Sequence, residues 1–115
     1  MHELSIALSI LETVGRICRE EGHGAVEAVR VRVGKAAGVH PEALAFAFEV
    51  ARTDTVARAA SLIIDEVPVT GRCRACGQEI EADDVLALQC PACGAFSYDL
   101  LSGRELELVD MEVVA

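Results

Sequence analysis

The chain has 115 residues, 52% of them apolar and only 3% aromatic, with 10 basic and 19 acidic side chains for a formal net charge of −9. That length suits one ordinary domain with a core of Val, Leu, Ile and Ala, and the composition is that of a globular chain, not a disordered one. Arg residues dispersed among acids oppose a nucleic-acid partner, whose recognition leaves a basic footprint, and favour cations or basic proteins.

The opening MHELSIALSI is broken by Ser5 and Ser9 and lacks both a basic start and a small-residue cleavage site, so it does not read as a signal peptide. No run approaches the roughly 20 apolar residues of a membrane span. There are five cysteines, an odd number. Four of them form two C-x-x-C pairs, which in a chain without a secretion signal favours metal over disulfides and makes the cytoplasm the expected compartment.

From Leu4 to Glu21, Ser5, Ser9, Glu12, Thr13, Arg16, Arg19 and Glu20 recur at steps of three and four, with Leu4, Ala7, Leu8, Leu11, Val14 and Cys18 opposite. This period is an amphipathic helix, stopped by Gly22 and Gly24. Cys18 falls on its apolar side, as a small buried hydrophobe. Val29, Val31 and Val33 alternate with Arg30 and Arg32, which predicts a half-buried strand over residues 26–33. After the Gly34–Gly38 loop, His40-Pro41-Glu42 opens a second helix, because proline suits the first turn and an acid complements the positive dipole end. Leu44, Ala47, Phe48 and Ala51 are its expected buried stripe.

A β-rich run from Leu62 to Val67, closed by Pro68, and another from Leu106 to Val113 supply two further strands. Between them the composition changes to Gly, Cys, Asp and Pro, with turn signals at Cys76-Gly77, Cys90-Pro91 and Cys93-Gly94. The expected class is α+β: two helices covering a three-stranded sheet built from residues 1–69 and 104–115, interrupted by a small module over residues 70–103.

Cys73-x2-Cys76 and Cys90-x2-Cys93 are separated by the 13 residues 77–89. Two residues between ligands let both sulfurs of a pair point into one tetrahedral site, and Gly77 and Gly94 relieve the backbone just after each second ligand. Four thiolates leave no open position, so the zinc they suit is structural and not catalytic. The competing readings are a redox dithiol or two disulfides. A redox C-x-x-C usually occurs once, at a helix start in a thioredoxin-like fold, whereas here the pair is duplicated.

At the amino terminus, a bulky His2 hinders methionine removal and leaves the α-amine on Met1. That amine, the His2 amide nitrogen and the His2 imidazole close consecutive chelate rings, with Glu3 nearby, and nitrogen donors in a square plane suit Ni(II) or Cu(II). A mobile surface histidine is the plainer reading, and the residues alone leave both open. His23, between two glycines, reads as a loop residue. His40 stands where the second helix needs a cap, for which histidine is a poor choice beside Asp or Ser, so it is either a tolerated substitution or a metal donor.

The MHELSIA start, EEGHGAVEAVRVRVG, GVHPEALAFAFE and the spacing PVTGRCRACG…CPACG, all in one order, resemble the HypA/HybF family of hydrogenase maturation factors over essentially the full length. The resemblance implies a nickel metallochaperone, not an enzyme, that helps insert nickel into the large subunit of [NiFe] hydrogenase and sometimes urease, working with the GTPase HypB. It implies nickel bound transiently at His2 with Glu3 beside it, and structural zinc on Cys73, Cys76, Cys90 and Cys93. The family commonly has an acid where this chain has His40, whose imidazole would be a substitute donor. A monomer or weak homodimer is expected. The rival from another class is a zinc-ribbon adaptor or nucleic-acid accessory protein in which His2 plays no part, opposed by the charge and by the scarcity of stacking rings.

Overall fold

Helix α1, Glu3–Glu21, buries Glu3, Ala7, Leu11, Val14 and Cys18, a stripe with steps of four, four, three and four, and ends on Gly22 in the left-handed conformation (φ 78°), whose N–H returns to the Cys18 carbonyl. These and all following contacts come from a computed structural model that describes residues 2–83 and 88–115. The sequence pattern locates this helix to within a residue but misplaces part of its buried face. Leu4 and Leu8 are 49% and 51% exposed, while Glu3 takes the stripe position instead. The reason is angular: residues 4 and 8 lie about 100° round the helix from residues 3 and 7.

Helix α2, Pro41–Ala51, starts with proline at its first position and buries Leu44 and Phe48. It packs against α1. Ala47 and Ala51, expected in its buried stripe, are only partly covered. The expected strand after the first helix is β1, Val26–Gly34. The two flanking runs are β2, Ser61–Val67, and, at the end of the chain, β6, Leu106–Val113. They form one sheet in the order β2-β1-β6, so the Val/Arg strand is central. Val29, Val31 and Val33 are buried to within 1%, as a half-buried strand requires. On the other face Arg30 is shared between Asp65 at 3.2 Å and Asp110 at 3.5 Å.

The cysteine-bearing stretch is more regular than its composition suggests. It contains β3, Val69–Cys73, β4, Glu79–Ala82, and β5, Tyr98–Ser102, in an antiparallel sheet of order β4-β3-β5. Gly71 faces Ile80 on one side and Leu100 on the other. A register irregularity falls between Thr70 and Gly71. Among the described residues, two three-stranded sheets and two helices make the α+β architecture, the second sheet being the ribbon that carries the cysteines. No helix among the described residues is long and apolar enough to cross a membrane.

By proximity the chain divides into two compact units: Met1–Val31, Val39–Asp65 and Glu107–Ala115 in the first, Arg32–Gly38 and Glu66–Leu106 in the second. The second thus includes a short segment from the end of β1. That segment is stitched down by three main-chain bonds: Gly34 N–H to Glu105 O at 2.7 Å, Lys35 N–H to Val67 O at 2.9 Å, and Ala36 N–H to Gly103 O at 2.7 Å. The Lys35 ammonium adds an ion pair with Asp83 at 2.9 Å, which raises the Lys35 pKa and lowers that of Asp83.

Gly34 is required by the closeness of this stitching. A Cβ there would stand 2.1 Å from the Gly103 carbonyl oxygen and 2.6 Å from the Arg104 nitrogen, both main-chain atoms that cannot rotate aside. Gly34→Ala is expected to destabilise the protein by about 1–3 kcal/mol or more. Gly24→Ala, where a Cβ meets nothing within 4 Å, should stay within about 0.5 kcal/mol of the parent. Denaturant unfolding of the two variants checks the contrast, and equal midpoints would contradict it.

Candidate metal centres

The two C-x-x-C segments fold as near copies of one another. In the first, the Gly77 N–H donates to Cys73 O at 2.8 Å and the Cys73 N–H to Gln78 O at 2.9 Å. In the second, the Gly94 N–H donates to Cys90 O at 2.8 Å and the Cys90 N–H to Ala95 O at 2.9 Å. Gly77 and Gly94 have φ of 80° and 75°, a region that costs glycine little and other residues more. β3 delivers the first of these turns, and Leu88, 2% exposed, leads into the second.

This repetition brings all four sulfurs within 4.8 Å of one another, with Cys73 and Cys90 buried and Cys76 and Cys93 exposed. The nearest pairs run across the two turns, Cys76–Cys90 at 3.4 Å and Cys73–Cys93 at 3.6 Å. A tetrahedral ion with bonds of about 2.3 Å sets its sulfurs about 3.8 Å apart, so the cluster has the dimensions of one four-coordinate thiolate site such as zinc prefers.

Its electrostatics call for the same ion. Cys90 is drawn down to about 7, first by the Cys93 N–H and then by the Cys76 thiol and the Ala92 N–H. Cys73 is lowered chiefly by the Cys76 N–H. Cys76 is pushed up to about 12: the Gln78 N–H opposes the rise, but the Cys90 sulfur and burial outweigh it. Cys93 is raised in the same way, against the Ala95 N–H, by the sulfurs of Cys73 and Cys90. The first cysteine of each turn is thus biased toward thiolate and the second toward thiol, because packed thiolates repel. A dication among them removes that conflict and lets all four ionise.

The amino-terminal candidates lie on the first turn of α1. His2 Nε2 stands 3.8 Å from Glu3 Oε2, the histidine side chain 60% exposed and the glutamate 11%. One ion can span that gap, since two bonds of about 2 Å place donors about 3 Å apart when adjacent and about 4 Å when opposite. The role assigned to the Met1 α-amine falls outside the described residues. The Glu3 carboxyl is lowered to about 2, first by the charged amino terminus and next by the His40 N–H, and so stays ionised at any ordinary pH.

His40 reaches this region through its main chain. Its N–H donates to Glu3 Oε2 at 3.2 Å, while its imidazole Nδ1 accepts from the Ala43 N–H at 3.2 Å. It is thus the N-cap of α2, with extended backbone before Pro41 (φ −86°, ψ 112°). Sequence reasoning missed both this clamp on Glu3 and the burial of Glu3 itself. The signal for the burial was present, since residue 3 precedes Ala7, Leu11, Val14 and Cys18 at helical spacing.

Comparison with known proteins identifies the family. A family model described as hydrogenase/urease nickel incorporation, metallochaperone, HypA, matches residues 1–113. The hydrogenase maturation factor HypA of Streptomyces avermitilis is 43% identical over 112 residues, covering 96% of this chain and 86% of the relative. That of Chlorobaculum tepidum is 45% identical over 106 residues, 92% of this chain and 93% of the relative. The fold resembles the solution structure of the nickel metallochaperone HypA from Helicobacter pylori, with a TM-score of 0.68, 23% identity and coverage of 100% of this chain and 99% of the other. A second HypA solution structure matches with a TM-score of 0.72 and 24% identity, over 99% of this chain and 97% of the other. With nearly its whole length matched by the family model and by curated relatives of this identity, the chain belongs to the HypA family of metallochaperones for nickel incorporation.

Proposed function

We propose that this HypA-family maturation factor carries nickel on its first residues, through the Met1 α-amine and the His2 nitrogens with Glu3 beside them, while Cys73, Cys76, Cys90 and Cys93 hold a structural zinc ion. The cargo then belongs to residues 1–69 and 104–115 and the zinc to residues 70–103. The observation that carries this reading is the contrast between the two donor sets. Four sulfurs converge in a closed cluster, whereas the exposed His2 imidazole sits next to a carboxylate already anchored by main chain.

That contrast suits the two jobs. A closed four-thiolate shell retains its ion and, when filled, ties the two turns of the ribbon together. A carrier needs donors that can be reached and released. Here the pre-charged Glu3 attracts the dication and the exposed imidazole completes the binding. No covalent step is catalysed. A HypB-type GTPase and the large subunit of a [NiFe] hydrogenase are the proposed partners and the cytoplasm the proposed compartment, in keeping with an acidic chain that would meet basic protein surfaces.

The zinc assignment predicts about one zinc per chain in protein purified without a tag. Cys90→Ser should release it and melt the ribbon while α1 and α2 persist, since structural zinc contributes on the order of 10 kcal/mol to folding small modules. Metal analysis with circular dichroism reads both effects, and four oxidised, metal-free cysteines in cytoplasmic protein would refute the assignment.

The nickel assignment predicts that His2→Ala, or residues added before Met1, weaken nickel binding at least about tenfold, or about 1.4 kcal/mol, with zinc content unchanged. Amines and imidazoles, titrating in general near 8 and 6.5, must shed protons to coordinate, so nickel affinity should rise with pH and fall as pH drops from about 8 to 6. Glu3, ionised throughout, adds nothing to that slope. Calorimetric titration checks these points, and native affinity in both altered forms would place nickel elsewhere.

A further inference from the structure

Position 40 can serve nickel in two ways, as a donor or as a support, and the hydrogen bonds of His40 point to the second. The imidazole accepts the Ala43 N–H on Nδ1, the bond an N-cap side chain makes to the third residue of its helix. A neutral imidazole that accepts on Nδ1 carries its proton on Nε2. A metal on Nδ1 would displace the Ala43 N–H. A metal on Nε2 would send the proton to Nδ1, where it would face the Ala43 donor. Ligation and capping therefore exclude one another on this side chain.

Geometry agrees. Among the described residues, the four cysteines are the one group of three or more His, Cys, Asp or Glu side chains placed to hold a single ion. What His40 brings to the terminus is its own N–H, 3.2 Å from Glu3 Oε2. Pro41 follows at the first helical position with no N–H to compete. The carboxylate of one helix thereby rests at the positive end of another, where the dipole of α2 favours its charge.

We propose that His40 positions the nickel site and does not bind the metal: by capping α2 it fixes the main-chain N–H that holds Glu3 beside His2. The role rests on the nickel reading above, but half of its test needs no metal. His40→Asn keeps a cap and removes the imidazole, whereas His40→Ala removes both.

The metal-free arm uses nitrogen-15 NMR and amide exchange. The parent should show the Nε2–H tautomer of His40 and a protected residue-40 N–H. His40→Ala should lose that protection and melt several degrees lower, and His40→Asn should recover both. In the nickel arm, His40→Ala should bind roughly three- to tenfold more weakly and His40→Asn within about twofold of the parent. A His40→Asn variant that melts like the parent yet binds nickel as weakly as His40→Ala would make the imidazole a ligand and overturn the proposal. So would an Nδ1–H tautomer, or undiminished protection in His40→Ala. Nickel binding that is indifferent to His2→Ala would instead remove the nickel site from the terminus, while the metal-free arm still decides whether His40 clamps Glu3.

Discussion

Four sulfurs packed within 4.8 Å cannot all carry charge without a cation among them, and much of the second compact unit is organised around that constraint. The two matched turns hold the first cysteine of each pair buried and biased toward thiolate, and leave the second exposed and biased toward thiol. Among the described residues of that unit, Val33, Val69 and Leu88 are buried together with Cys73 and Cys90. An ion bound at the four sulfurs would add its binding energy to the folding of this ribbon.

The first unit solves the opposite problem. Its stability comes from ordinary packing of α1 on α2, with Ala7, Leu11, Val14, Cys18, Leu44 and Phe48 fully or almost fully buried. That frees the first turn of α1 to be chemically open. Glu3 is the one buried charged residue among those described, and it is tolerated because it sits in the first turn of α1 and takes a main-chain N–H from the start of α2. His2, one residue earlier, is left in solvent. An anchored acid beside an exposed imidazole is an arrangement suited to taking up an ion and letting it go.

Much of this was legible in the sequence because the signals were local. The three-and-four spacing of α1, the Val/Arg alternation of β1, Pro41 and the apolar runs of β2 and β6 each state their element within a few residues, and the paired C-x-x-C motifs state the cluster. What was not legible depended on distant partners. β3 reads Val-Thr-Gly-Arg-Cys, too mixed to announce a strand, and is one because β4 and β5 pair with it. The attachment of residues 34–36 to Val67, Gly103 and Glu105 spans more than thirty residues of sequence and leaves only Gly34 as its trace. Leu4 and Leu8 misled because they are apolar and near the stripe, whereas Glu3, although charged, occupies it. The clamp on Glu3 is a main-chain bond from position 40, for which no side-chain pattern exists.

In the proposed function the two metals are kept apart by donor type, sulfur for zinc and nitrogen and oxygen for nickel. X-ray absorption on protein loaded with one zinc and one nickel measures this at each metal's own edge. The zinc edge should show four sulfurs at about 2.3 Å and the nickel edge only nitrogen and oxygen neighbours near 2 Å. Sulfur in the nickel shell, or nitrogen in the zinc shell, would contradict the separation and place the cargo in the cysteine cluster.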